Sequence, residues 1–198
     1  MTSHNRIFLI RHGETEWSRT GQHTGNTDLP LTERGRRQGE ALGTFFAGRT
    51  FARVLSSPLR RAYETCQLAG FADVAERTDD LKEWNYGIYE GKKTVDIQKS
   101  EPGWSIWRTT VPEGESLEEV AERTRRVIQS VSGVEGDVAL FAHGHVLRIL
   151  IACWLGLAAR DGRLFALGAG SISILGWEHS TQVLEQLNFE AGLLRPHE

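Results

Sequence analysis

The most constraining feature of this sequence is a run of four apolar residues, 7–10, that passes directly into a polar, glycine-containing segment, residues 11–15. Four consecutive apolar residues are typical of a strand buried on both faces, as strands of parallel sheets are. The polar segment then predicts the loop that leaves the carboxyl end of this strand. Because ligands of open α/β sheets bind just outside the carboxyl ends of the strands, we expect Arg11 and His12 at the mouth of a ligand crevice.

Arg11 and His12 are suited to phosphate chemistry. Arginine offers a planar set of donors that matches phosphate, and histidine is a competent nucleophile near neutral pH. A strand that merely ends in two polar residues would look the same, because short motifs often match by accident. The choice between these interpretations depends on the partners that the rest of the chain supplies.

Strand and helix patterns alternate along the chain. Strands are predicted at 6–11, 53–56, 137–142, 171–177 and 182–187, the last two as a hairpin. Helices are predicted from Thr32 to about residue 48, from Pro58 to about residue 69, from Ser116 onwards, and from His145 to Leu157. This order predicts an α/β fold, a three-layer α/β/α sandwich with a mainly parallel central sheet, formed by one domain over residues 1–198. The loop-rich, aromatic stretch 79–115 is predicted to be a lid-like insertion.

Composition limits the partners. A formal net charge of −3 and a pI near 6.2 give no basic footprint, so neither nucleic acid nor an anionic membrane is an expected partner. The apolar run 7–10 is too short for a signal-peptide core or a transmembrane span, so a cytoplasmic location is expected. Cys66 and Cys153 lack metal-like spacing and are expected to be reduced, buried thiols. The sequence does not decide whether the protein forms a homodimer, because it shows no exposed apolar strand that would favour one.

Three further segments bring polar groups towards the same sheet edge. Ser57 and Arg61 follow the strand 53–56, and the segment 143–145 follows the strand 137–142 and opens a helix, whose N-terminal amides favour an anion. Glu83 adds a carboxylate from the irregular stretch. His143 and His145 could alternatively be metal ligands, but no cysteine or carboxylate cluster completes such a site, so no metal or other cofactor is expected.

These motifs resemble the histidine phosphatase superfamily, the group of phosphoglycerate mutases, fructose-2,6-bisphosphatases and many small phosphatases. The matching segments follow the family's order along nearly the whole chain: residues 11–15, 57–62 with Thr65, Glu83 with 86–87, 114–116 and 143–145. The resemblance implies a phosphoglycerate mutase-like fold. It also implies that His12 is the phosphorylated nucleophile, that Arg11, Arg61 and His143 hold the phosphoryl group, and that Glu83 is the proton donor.

The same resemblance suggests substrate contacts. Thr24 and Gly25 match a phosphate-contacting loop, and the other expected contacts are Ser57, Tyr86, Arg108, Gly144 and His145. General chemistry agrees with the assignment, because a neutral imidazole approaches a dianionic phosphate with less repulsion than an anionic nucleophile. The two arginines beside His12 should lower its pKa and keep it unprotonated, and fixed cations can stabilise the transferred charge without magnesium.

Departures from the mutases favour transfer to water. The mutases have an asparagine where Ser18 stands, and a longer insertion with extra basic residues between the positions of Glu83 and His143. A mutase must retain its phosphoenzyme behind a closed lid, so a reduced lid should admit water. A phosphoglycerate mutase remains the first alternative. A catalytically inactive binding module on the same fold is the second, although a module has no need of both a nucleophile and an acid.

A narrower resemblance concerns the substrate. Residues 83–91, with Trp104 and 106–108, are similar to a branch of sedoheptulose-1,7-bisphosphatases and bacterial acid phosphatases. This resemblance implies a phosphomonoesterase for a small phosphorylated metabolite, a sugar phosphate or bisphosphate, with Arg108 meeting a second phosphate. The alternative for Trp104 and Trp107 is that they only pack the lid onto the domain.

Overall fold

Six strands form one central sheet in the computed structural model, which describes residues 5–191. The strands are β1 (Ile7–Arg11), β2 (Arg53–Ser56), β3 (Ala75–Arg77), β4 (Val138–Ala142), β5 (Ser171–Glu178) and β6 (Thr181–Glu190). Their order across the sheet is β3-β2-β4-β1-β5-β6. The first four strands in this order run parallel, and β5 and β6 continue the sheet antiparallel as a hairpin. The predicted mainly parallel sheet is therefore confirmed.

Within residues 5–191, six α-helices connect or flank the strands. They are α1 (Glu16–Thr20), α2 (Glu33–Phe45), α3 (Arg60–Leu68), α4 (Thr94–Ser100), α5 (Leu117–Val131) and α6 (Gly144–Trp154). Short 3₁₀ helices cover Asp79–Leu81, Gly87–Tyr89 and Ala159–Leu164. The predicted N-caps are confirmed, since the Thr32 hydroxyl accepts from the Gly35 amide and Ser116 forms a capping box with Glu119.

One predicted helix start is wrong. The sequence predicts Pro58 inside the first turn of α3, but this helix begins at Arg60 with Leu59 in the N-cap position. The physical reason is a local turn, in which the Ser57 hydroxyl accepts a hydrogen bond from the Leu59 amide at 3.3 Å and ends the extended chain before the helix starts.

Two hydrophobic cores lie on opposite faces of the sheet. Ile7 and Leu9 of β1 belong to a core shared with α5 and α6, whereas Phe8 and Ile10 belong to a core shared with α2 and α3. This alternation places helices on both faces and confirms the predicted three-layer sandwich. No helix within residues 5–191 is long and apolar enough to cross a membrane.

Strand register brings the predicted polar segments together. The His12 amide donates to the Ala142 carbonyl at 3.0 Å, and the Ser57 amide donates to the Phe141 carbonyl at 2.9 Å. Because β1, β4 and β2 are adjacent and parallel, the residues that follow them emerge side by side at one sheet edge. His12, His143 and Ser57 are therefore neighbours, although they are far apart in sequence.

The lid-like stretch 79–115 contains more regular structure than its sequence suggests. It includes two of the 3₁₀ helices and α4, and its aromatic residues Trp84, Tyr86, Tyr89 and Trp104 are buried in the core that α5 and α6 share. The stretch is thus packed onto the sandwich through its aromatic side chains.

Candidate active site

His12 lies at the carboxyl end of β1 with 5% of its surface exposed. Its Nδ1 is 2.7 Å from the carbonyl oxygen of Gly13. Because a carbonyl can only accept, Nδ1 carries the ring proton and Nε2 keeps its lone pair. Burial lowers the pKa of His12 well below its ordinary value, and the charges of Arg61 and Arg11 add to the shift. The ring is therefore a neutral imidazole, the form that a nucleophile requires.

A second buried imidazole lies beside the first. The rings of His12 and His143 have centroids 5.1 Å apart. Arg61 Nε donates to His143 Nδ1 at 3.1 Å, so the proton of His143 is on Nε2, which lies 2.7 Å from the Ser57 hydroxyl. Burial is also the main cause that lowers the pKa of His143 well below its ordinary value. Arg61 and Ser57 thus fix both the tautomer and the orientation of this ring.

Arg61 also holds the loop after α1. Its Nη1 donates to the Thr27 carbonyl at 2.9 Å, and its Nη2 donates to the carbonyls of Thr24 and Gly25 at 3.0 and 2.9 Å. The side chain is fully buried. Arg61 therefore lies behind the predicted phosphate-contacting loop.

Glu90 holds the same loop through its amides. One carboxylate oxygen of Glu90, Oε1, accepts from the Gly25 and Thr27 amides at 2.7 and 3.1 Å. A Cβ added at Gly25 would lie 2.4 Å from the Trp84 carbonyl oxygen, so only glycine fits this close approach. The loop is consequently fixed by an arginine on its carbonyls and a glutamate on its amides.

Glu83 is placed by the N-terminus of α6. Its Oε1 accepts from the amides of Trp84 and Val146 at 3.0 and 2.9 Å, and its Oε2 accepts from the His145 amide at 3.0 Å. These amides belong to the positive end of the helix dipole or to the residue next to Glu83. The carboxyl group is thus held in one position while the residue stays 6% exposed.

His12 and Glu83 line a cavity of about 220 Å³, here called the inner chamber. Its lining comprises Arg11, His12, Ser18, Gln22, His23, Thr24, Glu83, Tyr86, Gly144, His145, Arg148 and Leu167. Within residues 5–191, the buried Nε of Arg11 has no hydrogen-bond partner, so it is a donor free for a ligand at this site. The inner chamber is therefore lined by the carboxyl group of Glu83, three imidazoles and two guanidiniums.

A second cavity of about 420 Å³, the outer chamber, adjoins the first. The residues that line both are Arg11, Ser18, Gln22, His23, His145 and Arg148. Residues of the lid-like stretch contribute to its wall, namely Thr94, Gln98, Trp104, Ser105, Ile106 and Trp107. The guanidinium of Arg148 lies 4.6 Å from the centre of the Trp107 ring. Its Nε and Nη2 donate to the carbonyls of Gly162 and Arg163 at 3.0 and 3.2 Å, which fixes its position.

Neutral rings connect the two chambers. The Tyr86 hydroxyl lies 2.6 Å from His145 Nδ1. Burial lowers the pKa of His145 well below its ordinary value and lowers the pKa of His23 to about 4, while it raises the pKa of Tyr86. The positive charge that faces the ligand space therefore comes from Arg11 and Arg148.

The predicted site residues fall into three groups. Those that line the inner chamber are Arg11, His12, Thr24, Glu83, Tyr86, Gly144 and His145. Those that lie behind this lining are Gly25, Ser57, Arg61 and His143. Arg108 is exposed and lines neither chamber. Sequence reasoning missed Arg148, although its position one helical turn after His145 on α6 was a usable signal.

Metal-ligating side chains do not cluster in this part of the protein. Among the described residues, no group of three or more histidine, cysteine, aspartate or glutamate side chains could hold a metal ion. The rings of His143 and His145 have separate partners. His143 contacts Arg61 and Ser57, and His145 contacts Tyr86.

Comparison with known proteins gives the family. The family model of the histidine phosphatase superfamily (branch 1) matches residues 7–190. The chain belongs to this superfamily. This histidine phosphatase is 40% identical to an acid phosphatase of Mycobacterium tuberculosis over 92% of each chain. It is 35% identical to a sedoheptulose 1,7-bisphosphatase of Saccharomyces cerevisiae, with 78% of this chain and 69% of that protein covered.

A solved structure agrees with the sequence matches. The structure of an open reading frame product from Mycobacterium tuberculosis superposes with a TM-score of 0.88 and 38% identity, covering 94% of this chain and 98% of the other. The family, the phosphoglycerate mutase-like α/β fold and the enzyme class are confirmed. The protein is a phosphomonoesterase of the histidine phosphatase type.

Proposed function

We propose that this histidine phosphatase hydrolyses a small phosphorylated metabolite through a phosphohistidine on His12. The observation that carries the proposal is the inner chamber, which is lined by Arg11, Glu83 and the neutral imidazole of His12, whose Nε2 keeps its lone pair. A nucleophile, a phosphate-binding cation and an acid in one enclosed space are the parts that phosphoryl transfer needs.

The reaction has two steps. In the first, His12 Nε2 forms a bond to phosphorus while the bond from phosphorus to the ester oxygen breaks, and Glu83 acts as the general acid that gives a proton to that oxygen. In the second, Glu83 takes a proton from water, the water oxygen bonds to phosphorus, and the P–N bond breaks to release inorganic phosphate and free His12. Arg11 binds the phosphoryl oxygens. The family resemblance places Arg61 and His143 on the phosphoryl group as well, but neither lines a chamber, so in this proposal they support the loop and the nucleophile from behind.

Substitution of the nucleophile tests the mechanism. We expect His12→Ala to lower phosphate release at least about a thousandfold and to abolish an acid-labile phosphoenzyme, because no other group forms the P–N bond. The measurement is release of phosphate from a panel of sugar phosphates, with trapping of labelled enzyme after an acid-free quench. His179→Asn, in the exposed turn between β5 and β6, is the matched control.

Two results would contradict the proposal. Full activity in His12→Ala would show that His12 is not the nucleophile. Interconversion of phosphoglycerates faster than phosphate release would favour a mutase. Activity that persists in the presence of a chelator would agree with the expected independence from metal.

The outer chamber supports a sugar phosphate or bisphosphate as the substrate class. The inner chamber of about 220 Å³ accommodates the phosphoryl group that reacts, and the outer chamber of about 420 Å³ leaves room for the rest of the molecule. Trp104 and Trp107 offer apolar ring surface for a sugar, and Arg148 offers a cation for a second anionic group. This role moves from Arg108 to Arg148 because Arg108 is exposed outside both chambers.

A further inference from the structure

A partly buried ion pair lies behind the segment that carries Glu83. Arg123 of α5 is 6% exposed, and its Nε and Nη2 donate to the two carboxylate oxygens of Glu115 at 2.9 and 3.1 Å. Neither residue lines the inner or the outer chamber. We propose that Glu115 and Arg123 form a positioning pair that sets the place of the Glu83 carboxyl group. The inference rests on the proposed role of Glu83 as the proton donor.

Arg123 binds the backbone on the N-terminal side of Glu83 and at Glu83 itself. Its Nη1 donates to the carbonyls of Asp80 and Lys82 at 3.0 and 2.6 Å, and its Nη2 donates to the Glu83 carbonyl at 3.2 Å. The Asp80 carbonyl belongs to the 3₁₀ helix Asp79–Leu81, and those of Lys82 and Glu83 follow it outside any helix or strand. A guanidinium has five donors in a fixed arrangement, so one side chain satisfies all three carbonyls and the carboxylate together.

Glu115 binds the backbone on the C-terminal side of Glu83. Its Oε2 accepts from the Asn85 amide at 2.9 Å, and its own amide donates to the Asn85 carbonyl at 3.0 Å. The indole Nε1 of Trp84 donates to the Glu115 carbonyl at 2.8 Å. The pair therefore fixes the chain on both sides of the acid.

The motif 114–116 gains a physical explanation from this arrangement. A Cβ added at Gly114 would lie 2.4 Å from the Asn85 carbonyl oxygen, so glycine lets the two segments approach closely. Glu115 supplies the carboxylate, and Ser116 caps the helix that carries Arg123. Each residue of the motif thus contributes to the same contact between α5 and the Glu83 segment.

The position of Glu83 is demanding, because its carboxyl oxygens meet three amides at 2.9 to 3.0 Å. A shift of its backbone would lengthen these hydrogen bonds and move the acid away from the leaving oxygen. Misplacement of a reacting group by about 1 Å can cost roughly a hundredfold in rate. Loss of the pair should therefore appear as loss of acid catalysis.

Esters with different leaving groups test this inference. Because kcat/KM reports steps up to phosphoenzyme formation, it isolates the proton transfer to the leaving oxygen. We expect Arg123→Lys to lower kcat/KM for an alkyl phosphate about ten- to a hundredfold, and for 4-nitrophenyl phosphate less than about threefold, because nitrophenolate leaves without a proton. Glu115→Gln, which keeps an acceptor for the Asn85 amide, should show the same pattern.

Arg126→Lys is the matched control. Arg126 lies on the same helix and its Nη2 donates to the Asp80 carboxylate at 2.6 Å, but this pair is more exposed and contacts neither the Lys82 nor the Glu83 carbonyl. We expect both substrates to react at the parent rate in this variant.

A double-mutant cycle with Glu83→Gln separates positioning from general stability. If Arg123 acts through Glu83, Arg123→Lys costs little further activity once the acid is removed. An equal loss with both esters, or an undiminished loss in the Glu83→Gln background, would overturn the inference. If Glu83→Gln itself leaves the leaving-group dependence unchanged, the proton-donor role fails and the inference fails with it. If Glu83→Gln changes the leaving-group dependence but Arg123→Lys does not, the proton-donor role stands and the positioning role of the pair fails.

Discussion

At the scale of single residues, Arg148 and Arg108 are a natural pair for testing which cation meets the distal end of the substrate. Arg148 lines both chambers beside Trp107, whereas Arg108 is exposed. We expect Arg148→Gln to raise KM for a sugar bisphosphate about tenfold or more while KM for the matching monophosphate changes little, because a charge-assisted hydrogen bond contributes about 1.5–3 kcal/mol. Steady-state kinetics with both esters measure the difference.

Arg108→Gln should leave both KM values unchanged. An equal effect of Arg148→Gln on the bisphosphate and the monophosphate would argue against a second anionic group at this position. Arg148→Lys provides a further comparison, since lysine keeps the charge but cannot donate to the carbonyls of Gly162 and Arg163 in the same geometry.

The site positions of residues that directly follow the carboxyl end of a strand were predictable from the sequence. His12 and His143 follow apolar runs, and neighbouring parallel strands bring such positions together. Arg148 was not predicted, because its neighbours on α6 are apolar and the helix is read from sequence as core. The buried position of Arg61 behind the loop was also unpredictable, because it depends on three carbonyls that only the folded loop presents.

At the scale of elements, the loop between α1 and α2 depends on a close backbone approach. A Cβ at Gly25 would lie 2.4 Å from the Trp84 carbonyl oxygen and 2.8 Å from Glu90 Oε2. We expect Gly25→Ala to reduce the free energy of unfolding by about 1–3 kcal/mol, because the loop must move away from its partners. Denaturant titration gives the stability, and phosphate release shows whether the inner chamber is disturbed as well.

Gly133→Ala is the control for this substitution, since a Cβ there meets no atom within 4 Å. A Gly25→Ala protein with parent stability and parent activity would show that the loop tolerates displacement, contrary to the tight contacts with Arg61 and Glu90.

Elements with a strong apolar pattern were predictable, and short ones were not. The strand at residues 7–10 and helix α5 follow their periodicity closely. Helix α1 has five residues and none is buried, and strand β3 has three residues without an apolar face. Such elements are stabilised by tertiary neighbours and carry no periodic signal of their own. The short helices inside the stretch 79–115 were not predicted for the same reason.

Considering the protein as a whole, the fold that surrounds the ligand space buries several histidine rings, which are titratable groups. His12, His143 and His145 all have pKa values well below the ordinary value, with burial as the largest cause, and the pKa of His23 is lowered to about 4. In the unfolded chain these rings return to the ordinary value of 6.5. Below that pH the unfolded chain therefore binds more protons than the folded protein does, which couples folding to pH.

The sign of this coupling predicts loss of stability in acid. Above pH 6.5, both states hold neutral imidazoles and the full stability is present. As pH falls below this value, the free energy of unfolding should decrease by about 1.4 kcal/mol per pH unit for each buried histidine, as denaturant titrations at several pH values can measure. In His23→Asn, the decrease of the free energy of unfolding with falling pH should be smaller by the contribution of one histidine, about 1.4 kcal/mol per pH unit, between about pH 4.5 and pH 6. His179→Asn, exposed in the hairpin turn, is the control. A slope in His23→Asn equal to that of the parent protein would mean that the His23 ring already binds a proton in the folded state.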